Sequence, residues 1–273
     1  MSLESIPYRT LPTRASQTVL PLCSVVIPAF RAGKTLAQTL DSIRAQTLSD
    51  WETIVIIDGL YPDDSTLQIA QSYAAQDFRF KIIVNPRNHG AALARNVGVA
   101  QARAPWIAFL DSDDRFYPQK LEQQLAVAKK TQSRFLCSFY NITTATGSAI
   151  RLVKASIRIT RADLIRRNVI GCSTVMLRRD LALKYPMCGD VTHEDYLCWL
   201  ECLQECDCIT CEEVLTDIQK LPGSRNSNKW RSARGVWEIY RDHLNLSIPE
   251  TLSTMTIYGV IRIREILKDA LTR

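Results

Sequence analysis

Between Leu22 and Tyr140 the chain alternates between short apolar runs and longer amphipathic stretches, and that alternation leaves few folds open. Leu22 to Ile27, Glu52 to Ile57, Lys81 to Val84, Trp106 to Leu110 and Arg134 to Phe139 are rich in Val, Ile and Phe and have strand length. Between them, Lys34 to Ala45, Ser65 to Ala75, Ala91 to Ala102 and Gln119 to Lys130 repeat their apolar residues on a helical period. A near-continuous apolar strand must be covered on both faces, and a crossover helix after each strand supplies that cover. The pattern predicts an α/β fold: a Rossmann-like, mostly parallel sheet flanked by helices.

Beyond Tyr140 the alternation breaks. Arg151 to Ile159 is expected as an edge strand, Ser173 to Leu177 as a short central strand, and Glu194 to Glu205 as a helix. From Asn226 onward the sequence is helical, with an interruption around Ser247 to Pro249. The expected organisation is a polar segment over 1–21, an α/β domain over 22–220 and a C-terminal helical extension over 221–273.

Composition narrows the function classes. An apolar fraction of 46% with 23% charged residues fits an ordinary globular protein and excludes a disordered or collagen-like chain. No run approaches the ~18 uncharged apolar residues of a membrane-spanning helix. The net charge of +6 is concentrated. Arg151, Lys154, Arg158, Arg161, Arg166, Arg167, Arg178 and Arg179 face one acid, Asp163, in the same stretch. Such patches attract phosphate groups, but no nucleic-acid motif accompanies them, so nucleic acid is not expected as a partner.

The 9 cysteines are odd in number, and the first residues lack a secretory pattern, so reduced thiols in a cytoplasmic setting are expected. Cys198 and Cys202 stand at helical spacing among apolar residues, and Cys208 with Cys211 lacks a second Cys-x-x-Cys. Core packing accounts for them better than zinc does.

In an open α/β sheet, ligands bind beyond the carboxyl ends of the strands. Pro28 to Phe30, Asp58, Asn85 and Asp111 all fall there. Asp111, Asp113 and Asp114 put three carboxylates within four residues, which costs like-charge repulsion unless a cation offsets it. Oxygen donors of this kind suit Mg²⁺ or Mn²⁺. The alternative is that Asp113 or Asp114 caps the following helix. Farther on, Glu194 and Asp195 open a helix, where negative charge is favourable whatever the chemistry.

These residues carry a family resemblance. CSVVIPAF, AQTLSDWETIVIID, NHGAALARNVGVAQARAPWIAFLDSDDRFYPQKLEQQL, CSTVMLRRDL, THEDYLCWLECL and SRNSNKWRSA resemble, in order and spacing, the inverting family 2 nucleotide-sugar glycosyltransferases of GT-A fold, of bacterial cell-surface polysaccharide type. The resemblance implies that Asp111-Ser112-Asp113 is the Asp-x-Asp motif, holding a divalent metal and the sugar-nucleotide diphosphate. It implies that Pro28, Ala29 and Phe30 line the nucleobase and ribose pocket. Arg95 and Asn96 then border the donor site, and Arg95 is either a substrate contact or an ion-pair partner of the acids. Asp195 is implied as general base, with Glu194 orienting it or binding an acceptor hydroxyl.

One departure stands out. Ile57 takes the place of the first of two aspartates expected after the second strand, leaving Asp58 to serve the base. The donor implied is a nucleotide-sugar, and the acceptor a glycan or lipid-linked saccharide. The rival readings are an inactive nucleotide-sugar-binding module and a nucleotidyltransferase-like enzyme, although Pro28-Ala29-Phe30-Arg31 offers little of the Gly- and Lys-rich loop the latter needs. His89 and His193 flank these motifs without ligand spacing. The C-terminal aromatics Trp230, Trp237, Tyr240 and Tyr258 fit packing on the catalytic domain, or a peripheral contact with the inner face of the plasma membrane.

Overall fold

The computed structural model describes residues 9–10, 20–220 and 229–271. Its strands are β1 (Arg9–Thr10), β2 (Cys23–Ala29), β3 (Trp51–Asp58), β4 (Phe80–Asn85), β5 (Trp106–Phe109), β6 (Arg115–Phe116), β7 (Phe135–Thr143), β8 (Ala149–Val153), β9 (Arg158–Ile159), β10 (Met176–Arg178) and β11 (Cys208–Gln219). Its helices are α1 (Leu36–Arg44), α2 (Thr66–Gln76), α3 (Ala91–Gln101), α4 (Lys120–Thr131), α5 (Arg161–Arg166), α6 (Arg179–Lys184), α7 (Glu194–Cys202), α8 (Lys229–Glu238) and α9 (Ile248–Leu271). A 3₁₀ turn covers Cys172–Thr174, and a π turn over Ile239–His243 follows α8.

All these strands join one sheet, in the order β1-β4-β3-β2-β5-β10-β7-β11-β6, with β8 on β7 and β9 on β11. β4, β3, β2 and β5 are mutually parallel, as the strand–helix alternation requires. Every residue of β2 and β3 is buried, because alternate side chains enter two different cores. Val26, Ile54 and Ile56 face α3 and α7, whereas Val25, Ile27 and Val55 face α1 and α2. Gly98 lets α3 lie close on the sheet: a Cβ there would stand 2.4 Å from Val26 Cγ1.

The second half departs from expectation in four places. β11, paired in parallel with β7 over its length, is a strand that periodicity does not reveal. The sequence CITCEEVLTDIQ loses its alternation where the register shifts between Cys211 and Val214, and again before Thr216. The expected edge strand over Arg151 to Ile159 is two pieces, β8 on β7 and β9 on β11. The expected strand over Ser173 to Leu177 begins as the 3₁₀ turn, and only Met176–Arg178 pairs, antiparallel, between β5 and β7. The helix expected to Glu205 ends at Cys202. The expected C-terminal helix start at Asn226 lies outside the described residues.

The antiparallel insertion of β10 positions the site. Because β10 runs opposite to β5, the turn that precedes it arrives at the carboxyl edge, beside the residues that follow β5. The parallel β11 ends at that edge too. Cys23, Cys137, Cys172, Cys198, Cys202, Cys208 and Cys211 are buried free thiols, packed as small apolar side chains. Among the described residues, no helix is long and apolar enough to cross a membrane.

Candidate active site

At the carboxyl edge, β2 hands over to Phe30 and Arg31. Phe30 is exposed and meets Tyr61 edge-on, with ring centroids 5.5 Å apart, while the Arg31 guanidinium lies 4.3 Å from the Tyr61 ring centroid. Gly59, at φ 109°, leaves room for that ring: a Cβ there would sit 2.8 Å from it. Pro28, Ala29 and Ile57 are buried behind this aromatic shelf. A cavity of about 240 Å³ lies beside it, lined by Ile57, Leu60, Tyr61 and Leu67 among others.

Asp58 ends β3 and is buried, yet its oxygens are occupied. It accepts from the backbone N–H of His89 (3.0 Å) and of Gly90 (2.8 Å) and from Asn85 Nδ2 (2.9 Å). It therefore holds the turn that starts α3, in which Gly90 takes φ 90°.

α3 carries Arg95 and Asn96 into the site. The Asn96 amide exchanges both hydrogen bonds with the Met187 backbone, at 2.8 and 2.9 Å. Arg95, only 2% exposed, spans two acids. Its Nη2 donates to Asp111 Oδ1 at 2.6 Å and its Nη1 to Glu194 Oε1 at 3.1 Å. Burial opposes the charge on Arg95, but Asp111 and Glu194 together hold its pKa well above the ordinary value. This ion-pair bridge joins the acidic turn after β5 to the acidic pair that opens α7.

The turn itself is braced from below. Ser173 Oγ accepts from the Asp111 backbone N–H (3.0 Å) and donates to Asp114 Oδ2 (2.5 Å). Asp114 Oδ1 accepts from the Gln219 backbone N–H at 2.8 Å, tying the end of β11 to the turn. Burial first, then the charges of Asp111 and Asp113, raise the Asp114 pKa well above the carboxylate range. Asp114 is thus a structural brace, whereas Asp111, Ser112 and Asp113 remain half-buried.

Beneath Ser173, the buried Lys120 and Gln124 side chains both donate to the Thr174 carbonyl, at 3.1 and 2.9 Å. Sequence reasoning missed Ser173, Gln219 and Lys120. Only Lys120 left a signal, a lone charge on the stripe that also carries Leu121 and Gln124.

Asp195 is half-buried one residue beyond Glu194, and its Oδ1 accepts from the Tyr196 backbone N–H at 2.8 Å. Burial and the adjacent Glu194 raise its pKa, with Arg95 acting in the opposite sense. A carboxylate of raised pKa is a stronger base, which suits proton abstraction from a hydroxyl. Among the described residues, no three His, Cys, Asp or Glu side chains converge as a complete metal cage. Asp111 and Asp113 would offer two hard-oxygen donors of the kind that suits a divalent cation.

The model of the family "Glycosyl transferase family 2" matches residues 24–184. The putative teichuronic acid biosynthesis glycosyltransferase TuaG of Bacillus subtilis is 31% identical over 81% of this chain and 88% of its own. The Escherichia coli UDP-Glc:alpha-D-GlcNAc-diphosphoundecaprenol beta-1,3-glucosyltransferase WfgD is 31% identical over 81% of this chain and 86% of its own. Among solved structures, the mannosyltransferase PcManGT from Pyrobaculum calidifontis, in complex with GDP-Man and Mn²⁺, superposes with TM-score 0.64 at 14% identity. That match covers 90% of this chain and 69% of the other, and at such identity it speaks to the fold.

Proposed function

The chain belongs to glycosyl transferase family 2, and from that premise we propose that it moves a hexosyl group, with inversion, from a nucleoside-diphosphate sugar to a hydroxyl of a glycan or lipid-linked saccharide. The observation that supports the reading is the Arg95 bridge, because it joins the acidic turn to the acidic pair.

In this reading the base and ribose lie against Pro28, Ala29 and Phe30. Asp58 borders them by fixing the turn at His89 and Gly90, and Arg95 and Asn96 set the floor between donor and acceptor. Asp111 and Asp113 would hold Mg²⁺ or Mn²⁺, with Ser112 between them. When bound, that cation neutralises charge developing on the departing diphosphate. Inversion needs attack from the face opposite the leaving group, so the acceptor hydroxyl enters beside α7. There Asp195 takes the hydroxyl proton as the new glycosidic bond forms, and Glu194, held by Arg95, keeps α7 in place.

Supporting the acceptor class, the relative WfgD acts, by its name, on a diphosphoundecaprenol-linked sugar. A lipid-linked acceptor would bring the protein to the inner face of the plasma membrane. The proposed catalytic unit is 22–220, with 221–273, helical over 229–243 and 248–271, as its extension.

The test is a thermal-shift screen of UDP-, GDP- and dTDP-hexoses with and without Mn²⁺. A ligand of the native state raises the melting temperature. At least one nucleotide-sugar is expected to do so, more strongly with Mn²⁺. A set in which none does contradicts the proposal.

A further inference from the structure

The pair Glu194 and Asp195 is gripped on both flanks by the C-terminal extension, and the chemistry above makes no use of that grip. On one flank stands His193. Its carbonyl accepts the first α7 bond, from Leu197 N–H at 3.1 Å, but its side chain caps nothing. The imidazole turns instead to α8, with Nε2 2.9 Å from Ser232 Oγ and 3.2 Å from the Ser232 carbonyl. Gly235, one turn on, lets α8 approach this loop. A Cβ there would lie 2.8 Å from Thr192 Cβ and 3.2 Å from His193 Cδ2.

On the other flank stands Tyr196, whose backbone N–H holds Asp195 Oδ1. Its hydroxyl is 3.1 Å from that of Tyr240, a fully buried residue in the π turn. Tyr240 Oη donates to the Ile165 carbonyl at 2.5 Å, which leaves its oxygen to accept from Tyr196 Oη. The extension therefore touches the residues at −2 and +1 from Asp195. A π turn, rare in proteins and frequent at functional sites, delivers one of the two contacts.

We propose that 229–243 is a positioning element for Asp195, acting through Ser232 on His193 and through Tyr240 on Tyr196. The inference rests on Asp195 being the general base. A base must sit within hydrogen-bond reach of its hydroxyl, and a displacement of about 1 Å costs about 10²-fold in rate. The contacts of this element with His193 and Tyr196 flank Asp195, so its loss is expected in turnover more than in donor capture.

The test uses the full chain with Mn²⁺, a panel of UDP-, GDP- and dTDP-hexoses and water as the hydroxyl acceptor, following release of nucleoside diphosphate. Ser232→Ala and Tyr240→Phe are each expected to lower kcat about tenfold, with the donor KM within about twofold of wild type. The acidic limb of the kcat/KM profile moves to lower pH, because a loosened Asp195 regains solvent. Ser232→Thr keeps the hydroxyl and restores kcat. Melting temperatures verify that each variant is folded. Wild-type kcat and an unmoved acidic limb in both variants would overturn the proposal, as would kcat and donor affinity falling together. Wild-type protein that neither binds nor turns over any of the panel would instead defeat the glycosyl-transfer reading on which the inference stands.

Discussion

Arg95 and Glu194, 99 positions apart in the chain, meet through Nη1 and Oε1 at 3.1 Å. The same guanidinium reaches Asp111 with its other nitrogen, so a buried cation fixes the separation of two acidic clusters. Removing one partner of a buried ion pair strands the other charge. Arg95→Met is expected to cost about 3–5 kcal/mol of stability. Arg95→Lys restores the charge without the planar fork and recovers only part of that loss. Urea unfolding of the three proteins measures it.

Asp113 sits half-buried, whereas Asp114 is locked beneath it by Ser173 and Gln219. Asp113→Asn is expected to weaken Mn²⁺-dependent donor binding about tenfold or more while shifting the melting temperature little, since charge on a half-buried side chain contributes little to folding. Calorimetric titration of the donor with Mn²⁺ checks both halves. Unchanged donor affinity removes Asp113 from the metal site.

Lys120 is a buried amine whose hydrogen bonds go to Gln124 and the Thr174 carbonyl rather than to a carboxylate. Burial lowers its pKa to about 7, against weak opposing pulls from Cys23, Cys211 and Cys137. The unfolded chain, with an ordinary lysine, binds this proton more tightly. Stability therefore rises with pH between about 7 and 10, by up to about 1.4 kcal/mol per pH unit, and is flat below that window. Lys120→Met removes the term. The difference in unfolding free energy between wild type and Lys120→Met, followed from pH 6 to 8.5, is expected to grow in favour of wild type above pH 7. A constant difference contradicts the assignment.

Glu52 gives the opposite sign. Burial raises its carboxyl pKa, but Lys81, Ser24 and Arg103 more than offset that and leave it below the ordinary 4.5. Lys81 Nζ donates at 2.6 Å, Ser24 Oγ at 2.7 Å and the Arg103 backbone N–H at 2.7 Å. A folded pKa below the unfolded one stabilises fully above the unfolded value and is lost as pH falls through the folded value. Glu52→Gln is expected to cost about 1–3 kcal/mol at pH 7, with the gap closing toward pH 3. Acid-unfolding curves of the two proteins show whether it does.

What the sequence made legible is what local periodicity encodes. Asp58 and Asp111 could be placed at the sheet edge because each breaks an apolar run at its carboxyl end. The helices between strands declared themselves by period. β11 did not, because its bulges around Glu212, Glu213 and Leu215 erase the two-residue alternation. Ser173 carried no signal at all: its role arises from an antiparallel strand that brings it under Asp111, and antiparallel pairing is a tertiary fact. The contacts of His193 with Ser232 and of Tyr196 with Tyr240 likewise join distant segments that no window spans. Asp58 shows the limit from the other side, since its position was legible but its engagement with His89 and Gly90 was not.

Turnover by Asp195→Asn is the most direct measurement of the whole account. At saturating nucleotide-sugar and Mn²⁺, with water as the hydroxyl acceptor, nucleoside diphosphate release by this variant is expected to fall by about 10²–10⁴, with the donor-induced rise in melting temperature preserved. Release at the wild-type rate would show that another group takes the acceptor proton, and would contradict it.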